Sequence, residues 1–322
     1  MIEARGLTKH YGPKQAVSGI TFTVRPGQVT GFLGPNGAGK STTMRMIMGL
    51  DRPSAGRVTV NGKPYQKHRA PLHEVGALLD AKAVHPGRSA YQHLSAMAAT
   101  HRIPRSRVDE VIDMTGLHSV AKRRAGGFSL GMGQRLGIAN ALLGDPQTLI
   151  LDEPVNGLDP EGVLWVRQLV RQLATEGKTV FLSSHLMSEM AQTADHVIVI
   201  GRGKIIADAP IQEMIAGQQA ARVRVRTAQA AELSQLLSQL QTEDEVAIQF
   251  AEPETLEVSG LASAEIARVA LENQVLVYEL TPLSASLEEA YFNLTKDDVE
   301  YRSSVNAAAP APGTAEALGK EN

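Results

Sequence analysis

Cysteine is absent from the 322-residue sequence, which excludes disulfides, thiolate metal sites and catalysis by a cysteine nucleophile. Long apolar runs are lacking as well, since none approaches the roughly 18 to 20 residues that a membrane-spanning helix needs. The N-terminal segment MIEARGLTKHYG contains no apolar core of the kind found in signal peptides. We therefore expect a soluble protein of the cytoplasm, and any role at a membrane would depend on another chain.

Neither sign of charge predominates over the whole chain, whose net charge is −2, but the two signs are unevenly distributed. Residues 1–217 carry 25 basic and 17 acidic side chains, whereas residues 218–322 carry 7 and 17. The basic part could favour an anionic ligand or an anionic membrane surface, or the difference could be ordinary scatter between two domains. The acidic part argues against nucleic acid as a partner, because contacts with phosphates need Lys and Arg.

The N-terminal two thirds of the chain has the pattern of an α/β domain with a helical insertion. Residues 1–60 alternate short β-rich runs with turn signals, and residues 88–145 are mostly helical in pattern. Apolar runs then return, and they are continuous rather than alternating, as in buried parallel strands. The predicted strands are 29–33, 149–151, 179–182 and 197–200, and the predicted helices are 40–50, 89–100, 105–115 and 161–176.

The remaining third begins after a Gln/Ala-rich stretch at residues 217–221, which marks the predicted domain boundary. Beyond it the pattern reads strand, helix, strand, strand, helix, strand, the order of a small ferredoxin-like α+β domain. We therefore expect domains at 1–217 and 218–300 and a disordered tail at 301–322, rich in Ala, Pro and Gly. The predicted strands are 222–226, 246–250, 255–259 and 276–281, and the predicted helices are 230–240, 263–273 and 286–295.

A glycine-rich segment, GPNGAGKST, fits the phosphate-binding pattern G-x-x-x-x-G-K-[ST] between a predicted strand and a predicted helix. Glycines let backbone N–H groups converge on phosphate oxygens, and a helix N-terminus also favours an anion. Lys40 would supply a positive charge to the β- and γ-phosphates, and the Ser41 hydroxyl would bind Mg²⁺. The expected nucleotide-binding residues are Gly34, Pro35, Asn36, Gly37, Ala38, Gly39, Lys40, Ser41 and Thr42.

An acidic pair ends the apolar run in LILDEP. In this position Asp152 can hold Mg²⁺ through water, and Glu153 can orient or deprotonate an attacking water molecule. The pair alone is a weak signal, because carboxylates are common in turns, but after a phosphate-binding loop it is a strong one. Together the two segments predict a Mg²⁺-dependent nucleoside triphosphatase and leave its class open.

The segment FSLGMGQRLGIA, residues 128–139, resembles the signature sequence of ABC transporter ATPases, usually LSGGQ followed by QR and a helix. Ser129 and Gly131 occupy the phosphate-contacting positions, and Gln134 and Arg135 match the residues that follow in the family. A glycine-containing loop that opens a helix can bind a second face of a phosphate. The alternative is that Ser129 is an ordinary helix N-cap.

Further family features follow in the expected order. Residues 156–159, NGLD, resemble the D-loop that passes between the two nucleotide sites of a dimer. His185, after TVFLS, resembles the switch histidine that contacts the γ-phosphate, so the resemblance implies a catalytic set of Lys40, Glu153 and His185. Tyr11 matches the aromatic residue that stacks on adenine. An incidental histidine and a surface tyrosine are the alternatives.

One position departs from the family pattern. Asp80 ends the segment VGALLD where the family usually has Gln, a residue that reaches Mg²⁺ and the water and whose loop contacts the permease. The resemblance therefore places Asp80 with Ser41 and Asp152 in the expected metal site. An ionised Asp cannot donate a hydrogen bond, so we expect signalling through this loop to differ, unless Asp80 faces solvent.

The resemblance covers residues 1–217 and implies an ABC ATPase fold, with a parallel-sheet core, an antiparallel β subdomain and a helical subdomain. The signature variant, the segment VGALLDAKAVHPGRSAYQHL and the βαββαβ appendage further resemble ATPases of bacterial drug and peptide-antibiotic exporters. The permeases of those exporters are separate ABC-2-type membrane proteins. The expected function is thus ATP hydrolysis that powers export through an integral membrane permease, at the inner face of the cell membrane.

The family also implies a second ATP-binding subunit, because two domains pair head to tail and each ATP lies between Lys40 of one and Ser129 of the other. A single set of motifs predicts a homodimer or a pair with a related subunit. The alternative function is a soluble ABC ATPase without transport. Only 111 residues separate Lys40 from Asp152, which argues against a DNA-maintenance type with a coiled coil. A single ABC domain argues against the translation type, and cluster assembly stays open.

Overall fold

The structure is a computed structural model, and it describes residues 1–81, 83–216, 222–240 and 246–283, together with 287, 288, 291 and 292. The elements before residue 80 are β1 (Ile2–Tyr11), β2 (Lys14–Val24), β3 (Val29–Leu33), α1 (Lys40–Ile47), β4 (Ala55–Val60), α2 (Pro71–Glu74) and β5 (Val75–Leu78). Three helices follow, α3 (Ala90–Thr100), α4 (Arg105–Met114) and α5 (Leu130–Leu142).

Strands and helices then alternate as β6 (Thr148–Leu151), α6 (Pro160–Thr175), β7 (Thr179–Ser184), α7 (Met187–Thr193), β8 (His196–Gly201), β9 (Lys204–Pro210) and α8 (Ile211–Ala216). The C-terminal part contains β10 (Arg222–Arg226), α9 (Ala230–Ser238), β11 (Ala247–Glu252), β12 (Thr255–Ser259), α10 (Ser263–Glu272) and β13 (Glu279–Leu283). None of these helices is long and apolar enough to cross a membrane.

Among the described residues, six strands form the central sheet in the order β5-β6-β7-β3-β8-β9. The first five run parallel, and β9 pairs antiparallel with β8 at the edge. Every residue of β3, β6 and β7 is buried, as expected for parallel strands that are covered on both faces. The carboxyl ends of these three strands therefore meet at one edge of the sheet, which is where such sheets bind ligands.

Strands β2, β1 and β4 form a separate antiparallel sheet in that order. Its inward side chains share one hydrophobic core with β3 and α1, in which the rings of Phe22, Phe32 and Phe181 lie with centroids 5.2 to 5.9 Å apart. This core holds the β1–β2 hairpin beside the loop that follows β3. The sheet is the antiparallel β subdomain that the family resemblance implied.

The helical subdomain consists of α3, α4 and α5, which share a core with one another and with the central sheet. The start of α3 is fixed by a capping box, in which Ser89 accepts from the Gln92 N–H and the Gln92 side chain accepts from the Ser89 N–H. Helix α5 approaches β5 closely because Gly137 has no side chain, and a Cβ there would lie 2.4 Å from Leu78. The middle of α5 is thereby held near the end of β5.

The C-terminal sheet has the order β11-β12-β10-β13, with antiparallel neighbours throughout and its own hydrophobic core within residues 223–280. The predicted βαββαβ unit is therefore confirmed. Its last strand was wrongly predicted at 276–281, since it lies at Glu279–Leu283. The reason is tertiary: Val275 is buried in this core, and the Tyr278 N–H donates to the carbonyl of Arg226 at the end of β10, so pairing with β10 begins only at this point.

Three predictions for the ends of this region concern residues that are wholly or mostly outside the described part of the chain. The boundary at 217–221, the tail at 301–322 and most of the helix at 286–295 lie outside the described residues. Leu287 is described, and it is buried in the core that the helical subdomain shares with the central sheet, with Tyr291 partly buried against the same core. The chain thus returns to the N-terminal core after β13, and the division at 217/218 stays a prediction.

Candidate nucleotide-binding site

The loop between β3 and α1 owes its shape to its glycines. Gly37 and Gly39 have φ angles of 83° and 111°, in the left-handed region that favours glycine. A Cβ on Gly34 would lie 2.3 Å from the carbonyl oxygen of Ile200, and one on Gly39 would lie 2.7 Å from that of Ala16. A larger residue at either position would push the loop out of place, so the motif glycines serve the backbone path.

A cavity of about 380 Å³ lies beside this loop, between the β1–β2 hairpin and the end of β6. Most of the predicted phosphate-loop residues line it, whereas Gly34 and Ala38 are buried behind the lining. The volume is of the size that proteins use for small-molecule ligands. The lining residues are Tyr11, Lys14, Ala16, Pro35, Asn36, Gly37, Gly39, Lys40, Ser41, Thr42 and Glu153.

Lys40 is the first residue of α1 and is only 6% exposed. Its Nζ donates to the Gly34 carbonyl oxygen at 2.6 Å and lies 3.7 Å from Glu153 Oε1. Burial lowers the pKa of Lys40, and the nearby carboxylates of Glu153 and Asp152 act in the opposite direction. A buried cation thus adjoins the N-terminus of α1, and both features favour an anionic ligand.

The acidic pair follows β6 at the same edge of the sheet. Ser183, at the end of β7, donates from Oγ to Asp152 Oδ1 at 2.5 Å and accepts from the Glu153 N–H at 2.9 Å. The Glu153 carboxylate lies between two basic side chains, with His185 Nδ1 2.8 Å from Oε2 and Lys40 Nζ 3.7 Å from Oε1. Lys40 and His185, predicted from separate motifs, therefore meet at the Glu153 carboxylate, which lines the cavity.

Tyr11 lies at the mouth of the cavity and is 46% exposed. Its hydroxyl donates to Asp51 Oδ2 at 2.8 Å, and Lys9 Nζ lies 4.9 Å from the ring centroid. Partial burial, together with the bond to Asp51, raises the pKa of the Tyr11 hydroxyl. The ring is thereby held in place at the rim while part of it stays accessible, as stacking on a planar base requires.

The signature residues and Asp80 lie outside this cavity. Ser129 accepts from the Met132 N–H at 3.2 Å and so caps α5, as the N-cap alternative predicted. Ser129 lines a second cavity of about 450 Å³, mostly apolar, which also borders Ala81, Val84 and Pro86. Asp80 follows β5, and neither Asp80 nor Gly131 is among the described residues that line either cavity. Within one chain, Ser129 and Gly131 are therefore not among the described residues that line the phosphate-loop cavity.

Sequence reasoning missed three polar residues around the site. Lys14 lines the cavity from the hairpin side, Ser183 bridges the acidic pair, and the Gln134 side chain donates from Nε2 to the Glu153 carbonyl oxygen at 2.8 Å. A polar residue that ends a buried parallel strand, as Ser183 does, is a signal that could have identified it. Gln134 matched the family pattern, but no local signal indicated which group it bonds.

Two family models match the chain. The one described as ABC transporter matches residues 17–156, and one described as Domain of unknown function (DUF8746) matches residues 221–288. The chain is 41% identical over 217 residues to the bacitracin transport ATP-binding protein BcrA of Bacillus licheniformis, covering 66% of this chain and 71% of that protein. It is 33% identical over 310 residues to YhcH of Bacillus subtilis, an uncharacterized ABC transporter ATP-binding protein, covering 94% and 99%.

A solved structure agrees in fold. The cbiO1 protein of Clostridium perfringens, part of an ABC transporter complex, is 30% identical, with a TM-score of 0.58 over 67% of this chain and 90% of that one. The phosphate loop between a buried parallel strand and a helix defines the class of P-loop ATPases. Within that class, the chain belongs to the ABC transporter family and is an ATP-binding subunit with ATPase activity.

Proposed function

We propose that the chain hydrolyses ATP in the cavity beside Lys40 and thereby powers a separate membrane permease that exports a drug, antibiotic or peptide. The observation that supports this proposal most directly is the position of the Glu153 carboxylate next to the glycine-rich loop. Its Oε2 lies 2.8 Å from His185 Nδ1, and its Oε1 lies 3.7 Å from Lys40 Nζ. The relative named for bacitracin transport and the resemblance to exporter ATPases support the substrate class. Cluster assembly, the soluble alternative, has no comparable support.

Each residue has a defined task in this proposal. Lys40 and the loop N–H groups stabilise the charge that develops on the β- and γ-phosphates. Glu153 orients the attacking water or takes its proton, and His185 contacts the γ-phosphate. Ser41 and Asp152 would hold Mg²⁺, since Mg²⁺ prefers oxygen ligands and takes few of them from the protein when phosphates supply the others. The bound ion would add positive charge at the phosphate oxygens.

A second subunit would complete the site. Ser129 and Gly131 lie outside the cavity of their own chain, so their phosphate contacts require the head-to-tail partner that the family resemblance implies. The proposal is therefore a homodimer in which each ATP lies between Lys40 of one subunit and Ser129 of the other. ATP binds both surfaces only in the closed pair, and so it shifts the population towards that pair.

The second cavity is the proposed contact with the permease. It adjoins the segment that begins at Asp80, and apolar side chains such as Val84, Phe128 and Leu136 line much of it. An apolar groove of this kind suits a short protein segment better than a nucleotide. Asp80 would then lie between the Mg²⁺ site and the permease, and the ATPase would be held at the inner face of the cell membrane through this contact.

The test is Glu153→Gln, which keeps the shape of the side chain and removes the carboxylate charge. We expect ATP to bind normally while the rate of hydrolysis falls by about 10² to 10⁴, the usual contribution of a positioned acid–base group. Glu161→Gln is the matched control, because Glu161 is exposed in the first turn of α6. Steady-state phosphate release near the wild-type rate in Glu153→Gln would disprove the proposed role of this carboxylate.

A further inference from the structure

The backbone of Glu153 has an unusual conformation. Its φ angle is 49°, in the left-handed region that few residues other than Gly, Asn and Asp adopt. Such a conformation costs energy and persists only where the surroundings hold it in place. Neighbouring groups must therefore hold the peptide units on the two sides of Glu153.

Two buried side chains bond to those peptide units. Ser183 is fully buried, and its Oγ accepts from the Glu153 N–H at 2.9 Å. Gln134 is 4% exposed, and its Nε2 donates to the Glu153 carbonyl oxygen at 2.8 Å. The Asn156 N–H reaches the same oxygen at 3.2 Å. Because both side chains are shielded from water, a bond that is lost is not replaced by a bond to solvent.

Gln134 connects the backbone of Glu153 to a helix that lies 19 residues earlier in the sequence. It lies in α5, the helix that Ser129 caps, whereas Glu153 follows β6. A carboxylate whose peptide is fixed on both sides has few directions left, and here it points between Lys40 and His185. A shift of α5 would therefore move the carbonyl group that Gln134 binds, and the carboxylate with it.

We propose that Gln134 is a positioning residue for hydrolysis: it holds the Glu153 backbone in the left-handed conformation that aims the carboxylate at the attacking water. The inference rests on the proposed role of Glu153. It assigns to Gln134, which lies within the signature segment, a task in its own subunit. Signature helix α5 would thus serve two ATP sites, the partner's through Ser129 and its own through Gln134.

The first test compares Gln134→Met, which keeps the length and loses the donor, with Gln134→Asn, which keeps a shorter amide. In the full-length chain we expect Gln134→Met to lower kcat about tenfold or more, because small misplacements of a catalytic group are costly, with KM for ATP changed less than about twofold. Gln134→Asn should lie between Gln134→Met and the wild type. Gln172→Met, at an exposed position on α6, is the control.

The second test separates positioning from general stability. If Gln134 acts only through the carboxylate, Gln134→Met should not slow Glu153→Gln further in single-turnover assays, because the two changes share one mechanism. The inference would be overturned if Gln134→Met lowered the single-turnover rate by the same factor in the wild type and in Glu153→Gln. It would also be overturned if both Gln134 variants kept the full kcat while Glu153→Gln was inactive. Full activity of Glu153→Gln itself would instead overturn the proposed function on which the inference rests.

Discussion

At the scale of single residues, the proposed stacking of Tyr11 on adenine allows recognition of the base to be tested apart from recognition of the phosphates. Tyr11→Ala should weaken ATP binding by about 5- to 150-fold, which corresponds to the roughly 1–3 kcal/mol of an aromatic–base stack. Tyr11→Phe keeps the ring and loses the hydrogen bonds of the hydroxyl with Asp51 and Thr42, so it should bind nearly as the wild type does. Calorimetric titration with ATP measures both variants. Equal affinities of Tyr11→Ala and the wild type would show that the ring does not contact the base.

Residue identity alone could not define the contacts of the site. The glycine-rich loop and the acidic pair were predictable because each motif places its functional residues next to one another in the sequence, and His185 was predicted from the family resemblance. The bonds from Gln134 and Ser183 to Glu153 join residues 19 and 30 positions apart. Such contacts depend on which strand ends meet in the sheet, and no local pattern encodes that.

At the scale of elements, the first turn of α5 carries both a structural cap and a proposed ligand contact, and two substitutions separate them. Ser129→Asp keeps the cap and suits the helix N-terminus, so thermal stability should hardly change. Its negative charge should abolish hydrolysis by repelling the phosphate that the partner subunit holds. Ser129→Ala should lose about 1 kcal/mol of stability with the cap and retain more activity. If thermal melting and ATPase assays rank the two variants in the same order, the two roles are not separate.

Periodicity predicted most elements because burial and sequence agree there. The strands β3, β6 and β7 are continuously apolar and fully buried, so no alternation had to be interpreted. The exception is β13, because the sequence of residues 276–283, LVYELTPL, is compatible with a strand that begins at any of several positions. Burial of Val275 and the hydrogen bond from the Tyr278 N–H to β10 favour the later start of the strand, at Glu279. Both are tertiary effects, which override local propensity.

At the scale of the whole molecule, the C-terminal unit has a hydrophobic core of its own, and the segment that follows it packs into the N-terminal core. Its sheet and two helices have their own core within residues 223–280, yet Leu287 is buried in the same core as Ile211 and Met214 of α8. The segments before and after the unit therefore meet the N-terminal core in one cluster. We propose that this return anchors the C-terminal unit to the ATPase.

The dimer proposal predicts that two inactive variants complement each other. Lys40→Ala removes the buried cation from one half of each site, and Ser129→Asp places a repelling charge on the other half while it preserves the cap of α5. In a mixed dimer, one site would combine the intact Lys40 with the intact Ser129, and the second site would carry both lesions. Equal mixing should therefore restore up to about a quarter of the wild-type ATPase rate, since about half of the dimers are mixed and each has one working site.

The assay is phosphate release across mixing ratios, with each variant alone as the background. Activity should be greatest near equal amounts and should fall on either side, because mixed dimers are then most abundant. Mixing Lys40→Ala with a second variant on the same half, Glu153→Gln, is the control, because both of its sites would remain damaged. Background rates at every ratio of Lys40→Ala to Ser129→Asp, in samples where subunit exchange is verified by mass-labelled chains, would show that the site is not shared between subunits.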